Sequence, residues 1–224
     1  MHCKSRGRSL VKGRGNRSAN HGLTRTLALW CYQRDTDRWA MAQVGSDTDW
    51  RHVASQNDAY TPEPTICAIK QDDSLWCWGR NEQGQVGDAT DVSRATPVRI
   101  GGAAEWLDVA VGGLHSCAIK RDGTLWCWGS NQGGGLGDGT GQDRRSPGRI
   151  GEESDWARVF YAGPTCAARR DGALWCWGAP RGEVPAPEPG GDHVKSLTHA
   201  AVLMCGVKSD STLWCTRLSR SVLF

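Results

Sequence analysis

The residues best equipped for chemistry in this chain of 224 are its ten cysteines, and eight of them recur as four pairs at one spacing. Cys67 and Cys77, Cys117 and Cys127, Cys166 and Cys176, and Cys205 and Cys215 each stand ten residues apart. Thiols at fixed spacing can ligate a metal, attack a substrate, bridge or simply fill a core. Zinc ribbons use two Cys-x-x-Cys knuckles, and the sequence has none. A nucleophilic cysteine needs an activating neighbour, and nothing distinguishes one member of these pairs as activated. Two readings remain: bridges within each pair, or buried thiols acting as small hydrophobes. Cys3 and Cys31 have no partner at this spacing. The Gly-rich run at 133–141 opens no helix, so it is not a phosphate cradle.

The elements that carry the pairs are copies of one another. CAIKQDDSLWCWG from Cys67, CAIKRDGTLWCWG from Cys117, CAARRDGALWCWG from Cys166 and CGVKSDSTLWCTR from Cys205 align without gaps. Flanking stretches repeat too: TPVRIGGAAEWLDVAVGG matches SPGRIGEESDWARVFYAG, and WGRNEQGQVGD matches WGSNQGGGLGD. A decayed first copy ends in Leu29-Trp30-Cys31-Tyr32, and residues 179–204 are irregular and Pro-rich. The repeat explains the composition, in which 12 Trp stand against 2 Phe and 3 Tyr. Within a unit, 106–112 alternates apolar and polar residues as a half-buried strand does, and short strands punctuated by Gly show no helical period. A period near 50 residues built of short strands points to propeller blades.

The central hairpin fixes how the cysteines meet. Lys120 to Thr124 suits a three-residue turn with Gly123 left-handed in a bulge, and Asp122 able to bind nearby backbone N–H groups. Gly172 takes the same place in the next copy. That register sets Ala118 opposite Trp126 and Cys117 opposite Cys127, and likewise for the other pairs. Directly opposed residues have Cα atoms about 4.5–5.5 Å apart, within reach of a disulfide. A two-residue turn would put the two thiols on opposite faces.

Charge is uneven. Residues 1–25 hold seven of the 27 Lys and Arg and no Asp or Glu; the rest has 20 basic against 24 acidic residues. The basic stretch 1–26 reads as a disordered tail, the one place where nucleic acid could be held, through its phosphates. The units follow at 27–58 (degenerate), 59–94, 95–144, 145–178 and 179–215, with a C-terminal tail at 216–224. No apolar run approaches the roughly 20 residues of a membrane span, and Leu27-Ala28-Leu29-Trp30 is too short for a signal-peptide core.

These residues resemble the repeats of the RCC1 (regulator of chromosome condensation) type, in a cysteine-rich variety with a bacterial look. Gly112-Gly113-Leu114-His115-Ser116, Asp122-Gly123, Trp128-Gly129, Asn131 and Leu136-Gly137 match the family pattern in order, as do Trp78-Gly79, Asn81, Gly84 and Gly87 one unit earlier; Trp177-Gly178 repeats the Trp-Gly step. The resemblance implies an all-β propeller of RCC1-like blades, seven when complete, of which about four are present here. It assigns these residues to the scaffold and leaves binding to loops that differ between copies.

The resemblance implies a non-enzymatic scaffold presenting loops to a protein partner, with no cofactor and no metal. Hairpin disulfides would place it in an extracellular or periplasmic setting; reduced thiols would favour the cytoplasm. The alternative is a guanine nucleotide exchange factor or chromatin-associated regulator, the namesake activity, but none of the partner-contacting residues of that activity can be matched. Plant UV-B receptors share the fold and need a Trp where Leu114 stands. The Asp-Gly-x-x-Trp turn resembles a sialidase Asp-box with one residue too few, and Tyr32, Tyr60 and Tyr161 share no strand position for a nucleophile. Open blade edges would invite self-association.

Overall fold

The computed structural model describes residues 28, 30–35, 38–55, 64–200 and 203–217, with side chains at 44–55, 64–198 and 203–217. Both proposed tails, with Cys3, lie outside the described residues except for Thr216 and Arg217, and the side chain of Cys31 lies outside them too.

Antiparallel meanders account for nearly all of the regular structure. β1 (Trp30–Asp35) and β2 (Arg38–Gln43) form a hairpin. The first full sheet comprises β3 (Trp50–Ser55), β4 (Ile66–Lys70), β5 (Leu75–Gly79) and β6 (Arg94–Ile100) in sequence order. The second repeats it with β7 (Trp106–Val111), β8 (His115–Lys120), β9 (Leu125–Gly129) and β10 (Arg144–Ile150). The third holds β11 (Trp156–Tyr161), β12 (Thr165–Arg169), β13 (Leu174–Trp177) and the two-residue β14 (Ala186–Pro187). The last has β15 (Val194–Ala200), β16 (Leu203–Lys208) and β17 (Leu213–Arg217). Consecutive sheets are neighbours through their first strands, β3 against β7, β7 against β11 and β11 against β15. The result is an unclosed arc of four propeller blades.

Sheets and sequence units are out of phase. The R-x-x-P-x-R-I-like strand that heads a sequence unit is the fourth strand of the preceding sheet, because Leu75 pairs with Ile100 and Leu125 with Ile150.

The hairpin register is the bulged one. Lys120 N–H donates to Thr124 O, Gly123 N–H to Lys120 O, and Gly123 has φ 85°. Gly172 sits at φ 91°, while Asp73 and Ser211 hold the same left-handed turn at φ 64° and 72°. Asp122 accepts from the Thr124 N–H at 2.9 Å and its hydroxyl at 2.7 Å, and these bonds keep its carboxyl below the ordinary range. Cys117 stands opposite Cys127, and the other three pairs stand in the same register. In each hairpin the Sγ atoms are 2.13 Å apart and the Cα atoms 4.1 Å apart.

The core lies between blades. One face of the first sheet buries Cys67, Ile69, Leu75, Cys77 and Ile100 against Trp106, Val109, Val111, Ala118 and Trp128 of the second. The second sheet meets the third in the same way through Ile119, Leu125 and Ile150 against Trp156, Val159 and Trp177. Each fully buried aliphatic side chain is worth roughly 1.5–3 kcal/mol, so blade contact is the main cohesive force. On the last sheet the matching face leaves Leu203, Val207 and Leu213 exposed.

Candidate binding surface and the contacts that hold it

The loops after the Trp-Gly strands, residues 80–93, 130–143 and 178–193, lie at one end of the blades. The first two are built around a buried asparagine. Asn81 donates from Nδ2 to Asp88 Oδ1 and to the Thr90 and Val92 carbonyls, each at 3.1 Å, and its Oδ1 accepts the Val86 N–H at 2.8 Å. Asn131 binds Asp138 Oδ1 at 2.9 Å and the Thr140 carbonyl, and accepts the Leu136 N–H at 3.0 Å. Both asparagines are fully buried. Each amide thus replaces several backbone partners that a loop would otherwise leave unmade.

A carboxylate closes each loop. Asp88 meets Arg94 Nε at 2.6 Å, and Asp138 meets Arg144 Nη2 at 2.6 Å. Burial pushes the Asp88 carboxyl upward, but hydrogen bonds from Thr90, Arg94 and Asn81 outweigh it and hold the pKa low. Asp138 is likewise low: burial opposes, and Thr140, Asn131 and Arg144 prevail.

The loops then latch onto the next blade. Gln85 O accepts the Trp128 indole N–H at 2.9 Å and the Ser116 hydroxyl at 2.8 Å. Gly135 O accepts the Trp177 indole at 3.0 Å and the Thr165 hydroxyl at 3.1 Å. Gly87 (φ 88°) and Gly137 (φ 80°) let the backbone lie on those rings, since a Cβ at either would stand 2.5 Å from the indole nitrogen. Trp128 and Trp177 are therefore the deep inter-blade residues. Trp76 and Trp126 are half-buried, donate to Ser74 and Thr124 of their own turns, and lie under Lys70 and Lys120.

His115 joins the same seam. Its Nε2 lies 2.7 Å from Thr165 Oγ1, whose proton goes to Gly135 O, so Nε2 carries the imidazole hydrogen. Its ring meets Tyr161 edge-on with centroids 5.7 Å apart. Burial lowers its pKa to about 4, so it is neutral at pH 7. Gly129 (φ 105°) and Gly79 (φ 97°) end their strands where a Cβ would strike the Leu114 or Pro64 carbonyl. Gly84 packs against the Arg145 backbone, and Gly178 has φ 84°.

The third loop reaches the same end by other means. It lacks the asparagine, carries a cis Ala179–Pro180 bond, and is closed by Arg181 and Glu188, 3.0 Å apart. Burial raises the Glu188 carboxyl, against the pull of Arg181 and a bond from Thr216.

A charged row couples the first strands. Asp108 accepts the Val159 N–H at 3.0 Å and lies 3.4 Å from His52 and 4.0 Å from Arg158. His52 Nε2 stands 3.1 Å from Val109 O, and Arg158 donates to Lys195 O at 2.7 Å. Every contact goes to the adjoining blade, which marks the row as a cross-tie. Among the described residues no group of three or more His, Cys, Asp or Glu could hold a metal.

The exposed tips differ where the buried frame agrees. The first loop presents Glu82, Asp91 and Val92, the second Gln132, Gly141 and Gln142, and the third Pro180, Glu183 and Val184. Sequence reading found the asparagines, glycines and Trp-Gly steps but missed the receiving carbonyls of Gln85 and Gly135 and the closing pairs. A signal was present: Asp, Thr and Arg follow Asn81 and Asn131 at the same three offsets.

The family model described as "Regulator of chromosome condensation (RCC1) repeat" matches residues 72–119 and 122–167, and a second model of that description matches 106–134. Residues 72–167 are RCC1-type repeats. Three solved structures place its blades within that architecture. Human WBSCR16 is 16% identical with a TM-score of 0.66, over 80% of this chain and 50% of that one. Prp20p from Saccharomyces cerevisiae is 15% identical with a TM-score of 0.63, over 84% of this chain and 53% of that one. Yeast RCC1 (Prp20) bound to Kap60 is 15% identical with a TM-score of 0.63, over 93% and 59%. The RCC1-type array here thus spans about half the length of the structures it matches. No curated protein matches the sequence.

Proposed function

We propose that this chain is a non-enzymatic RCC1-repeat scaffold whose loop tips bind a protein partner, and that it works disulfide-stapled in an exported setting. The observation that carries the reading is the division within each loop. Asn81, Gln85 and Val86 are buried and held in place, whereas Glu82 and Val92 beside them are exposed and are replaced by Gln132 and Gln142 in the next loop. A surface ordered before binding loses less entropy when it binds. The four hairpin bridges favour an oxidising compartment. Repeats bounded at 27–215, with a basic tail at 1–26 and a short tail at 216–224, fit this reading. The exposed apolar face of the last sheet offers a route to self-association.

The test compares capture by the full chain with capture by two surface variants. Glu82→Ser, Val92→Ser, Gln142→Ser and Val184→Ser together alter exposed tips and leave the contacts between blades in place. Arg121→Ser and Arg170→Ser alter the opposite, turn end. The reading expects a partner retained by the wild type and the turn variant and released at least tenfold by the tip variant. Equal retention by both variants would overturn it.

A further inference from the structure

Among the described residues, the first sheet lacks the contact that completes the second and third. Loops 80–93 and 130–143 each give a carbonyl to the following blade. The unit before the first sheet is the hairpin β1–β2, whose register matches the others: Trp30 pairs with Gln43 as Trp76 pairs with Arg99 and Trp126 with Arg149. Yet only two residues separate Asp35, the end of β1, from Arg38, the start of β2, where fourteen separate β5 from β6.

The consequence appears at Trp78. It is 1% exposed, as deep as Trp128 and Trp177, but among the described residues its indole N–H has no hydrogen-bond partner. Beside it opens a cavity of about 240 Å³ lined in part by Ile66, Trp78, Gly79, Ser93, Arg94 and Ala95. Strand pairing makes these the equivalents of Ser116, Trp128, Gly129, Asp143, Arg144 and Arg145. Of those six, Ser116, Trp128 and Arg145 hold loop 80–93. Trp128 and Ser116 bind Gln85 O, Arg145 O accepts the Ala89 N–H at 2.9 Å, and the Arg145 guanidinium meets Asp91 at 2.9 Å.

We propose that the cavity at Trp78 is a docking site for a glycine turn of the Asn-x-x-Gly-Gln-Val-Gly-Asp kind, presented by a second polypeptide. The occupant's chemistry is read from the two equivalent seats in the same chain, both filled by such turns. A buried donor left without an acceptor costs about 1–3 kcal/mol, and a carbonyl from the turn removes that cost. The two turns of this kind in the sequence, 81–88 and 131–138, are committed to the blades that follow them, and the occupant proposed is the same turn of another repeat protein. The site lies on the flank of the first sheet and stands whether or not the loop tips bind a partner.

The probe is a head-to-tail cyclised peptide of residues 79–94, whose ends the Gly79–Arg94 pairing keeps together. It is titrated into full-length protein carrying ¹⁵N-labelled tryptophan, with the Trp78 indole resonance assigned by Trp78→Phe. The expected result is a saturable shift of that resonance, absent with a Gly87→Ala peptide. Ala95→Arg, at an exposed position, supplies the guanidinium that Asp91 uses in the next blade and should tighten binding at least threefold. Ile66→Ser added to it supplies the missing hydroxyl and should bring the gain to tenfold or more. Ala95→Arg changes an exposed residue, so its result stands even where the core variants fail to fold. An unmoved Trp78 resonance at millimolar peptide, equal binding of the Gly87→Ala peptide, or no gain from Ala95→Arg would overturn the proposal.

Discussion

Three tryptophans in one strand position provide an internal control for the latch. Trp78, Trp128 and Trp177 are all within 1% of complete burial, and Phe removes the same volume from each. Their hydrogen bonds differ. Trp128 and Trp177 donate to loop carbonyls at 2.9 and 3.0 Å, whereas Trp78 has no acceptor among the described residues. Trp128→Phe loses a bond worth about 0.5–1.5 kcal/mol net, while Trp78→Phe removes an unmade donor that costs about 1–3 kcal/mol. The cavity contributions are similar and cancel in the comparison. Trp128→Phe and Trp177→Phe should therefore destabilise more than Trp78→Phe by about 1.5–4.5 kcal/mol. Urea unfolding of the oxidised protein, followed by far-UV circular dichroism, reads this difference. At an m-value of about 2–3 kcal/mol/M it is a midpoint separation on the order of 1 M. Equal losses at all three positions would refute the latch as the reason this residue is tryptophan.

Two further outcomes follow from the same geometry. His115 titrates near 4 in the fold against 6.5 when free, so the unfolded chain binds its proton more tightly. Its contribution is complete above pH 6.5 and fades as pH falls toward 4, by roughly 2–3 kcal/mol; His115→Asn should flatten that part of a stability-against-pH curve, and an unchanged slope would contradict the assignment. Asn131→Ala strips the amide from the centre of loop 130–143, leaving the Leu136 N–H buried and unmatched. It should cost about 2–4 kcal/mol and expose the loop to limited proteolysis, with the main new cleavage between Gln132 and Gln142. Cleavage elsewhere would count against the amide as organiser.

Much of the blade was legible because its determinants are local. A left-handed Gly123 demands a bulged turn, and the bulge alone sets Cys117 opposite Cys127. Hydrophobic alternation at 106–111 announced a half-buried strand for similar reasons. What stayed hidden depends on contact between units. Nothing near Gln85 in sequence says that its carbonyl serves Trp128, because the two are 43 residues apart. The repeat held an indirect trace: Gly87 and Gly137 sit where the next blade's indole, together with a left-handed backbone, forbids a side chain. The third loop was opaque because Arg181 and Glu188 substitute for the asparagine with different chemistry. The phase of the sheets was hidden too, since a tandem repeat looks the same wherever the cut is made.

The central claim is a scaffold of latched blades, each stapled through its own hairpin. Non-reducing peptide mapping by mass spectrometry, on protein made in an oxidising compartment, tests it most directly. Cys67–Cys77, Cys117–Cys127, Cys166–Cys176 and Cys205–Cys215 should each be linked within their own hairpin. Free thiols throughout, or linkages that join different sheets, would contradict both the bulged register and the exported setting built on it.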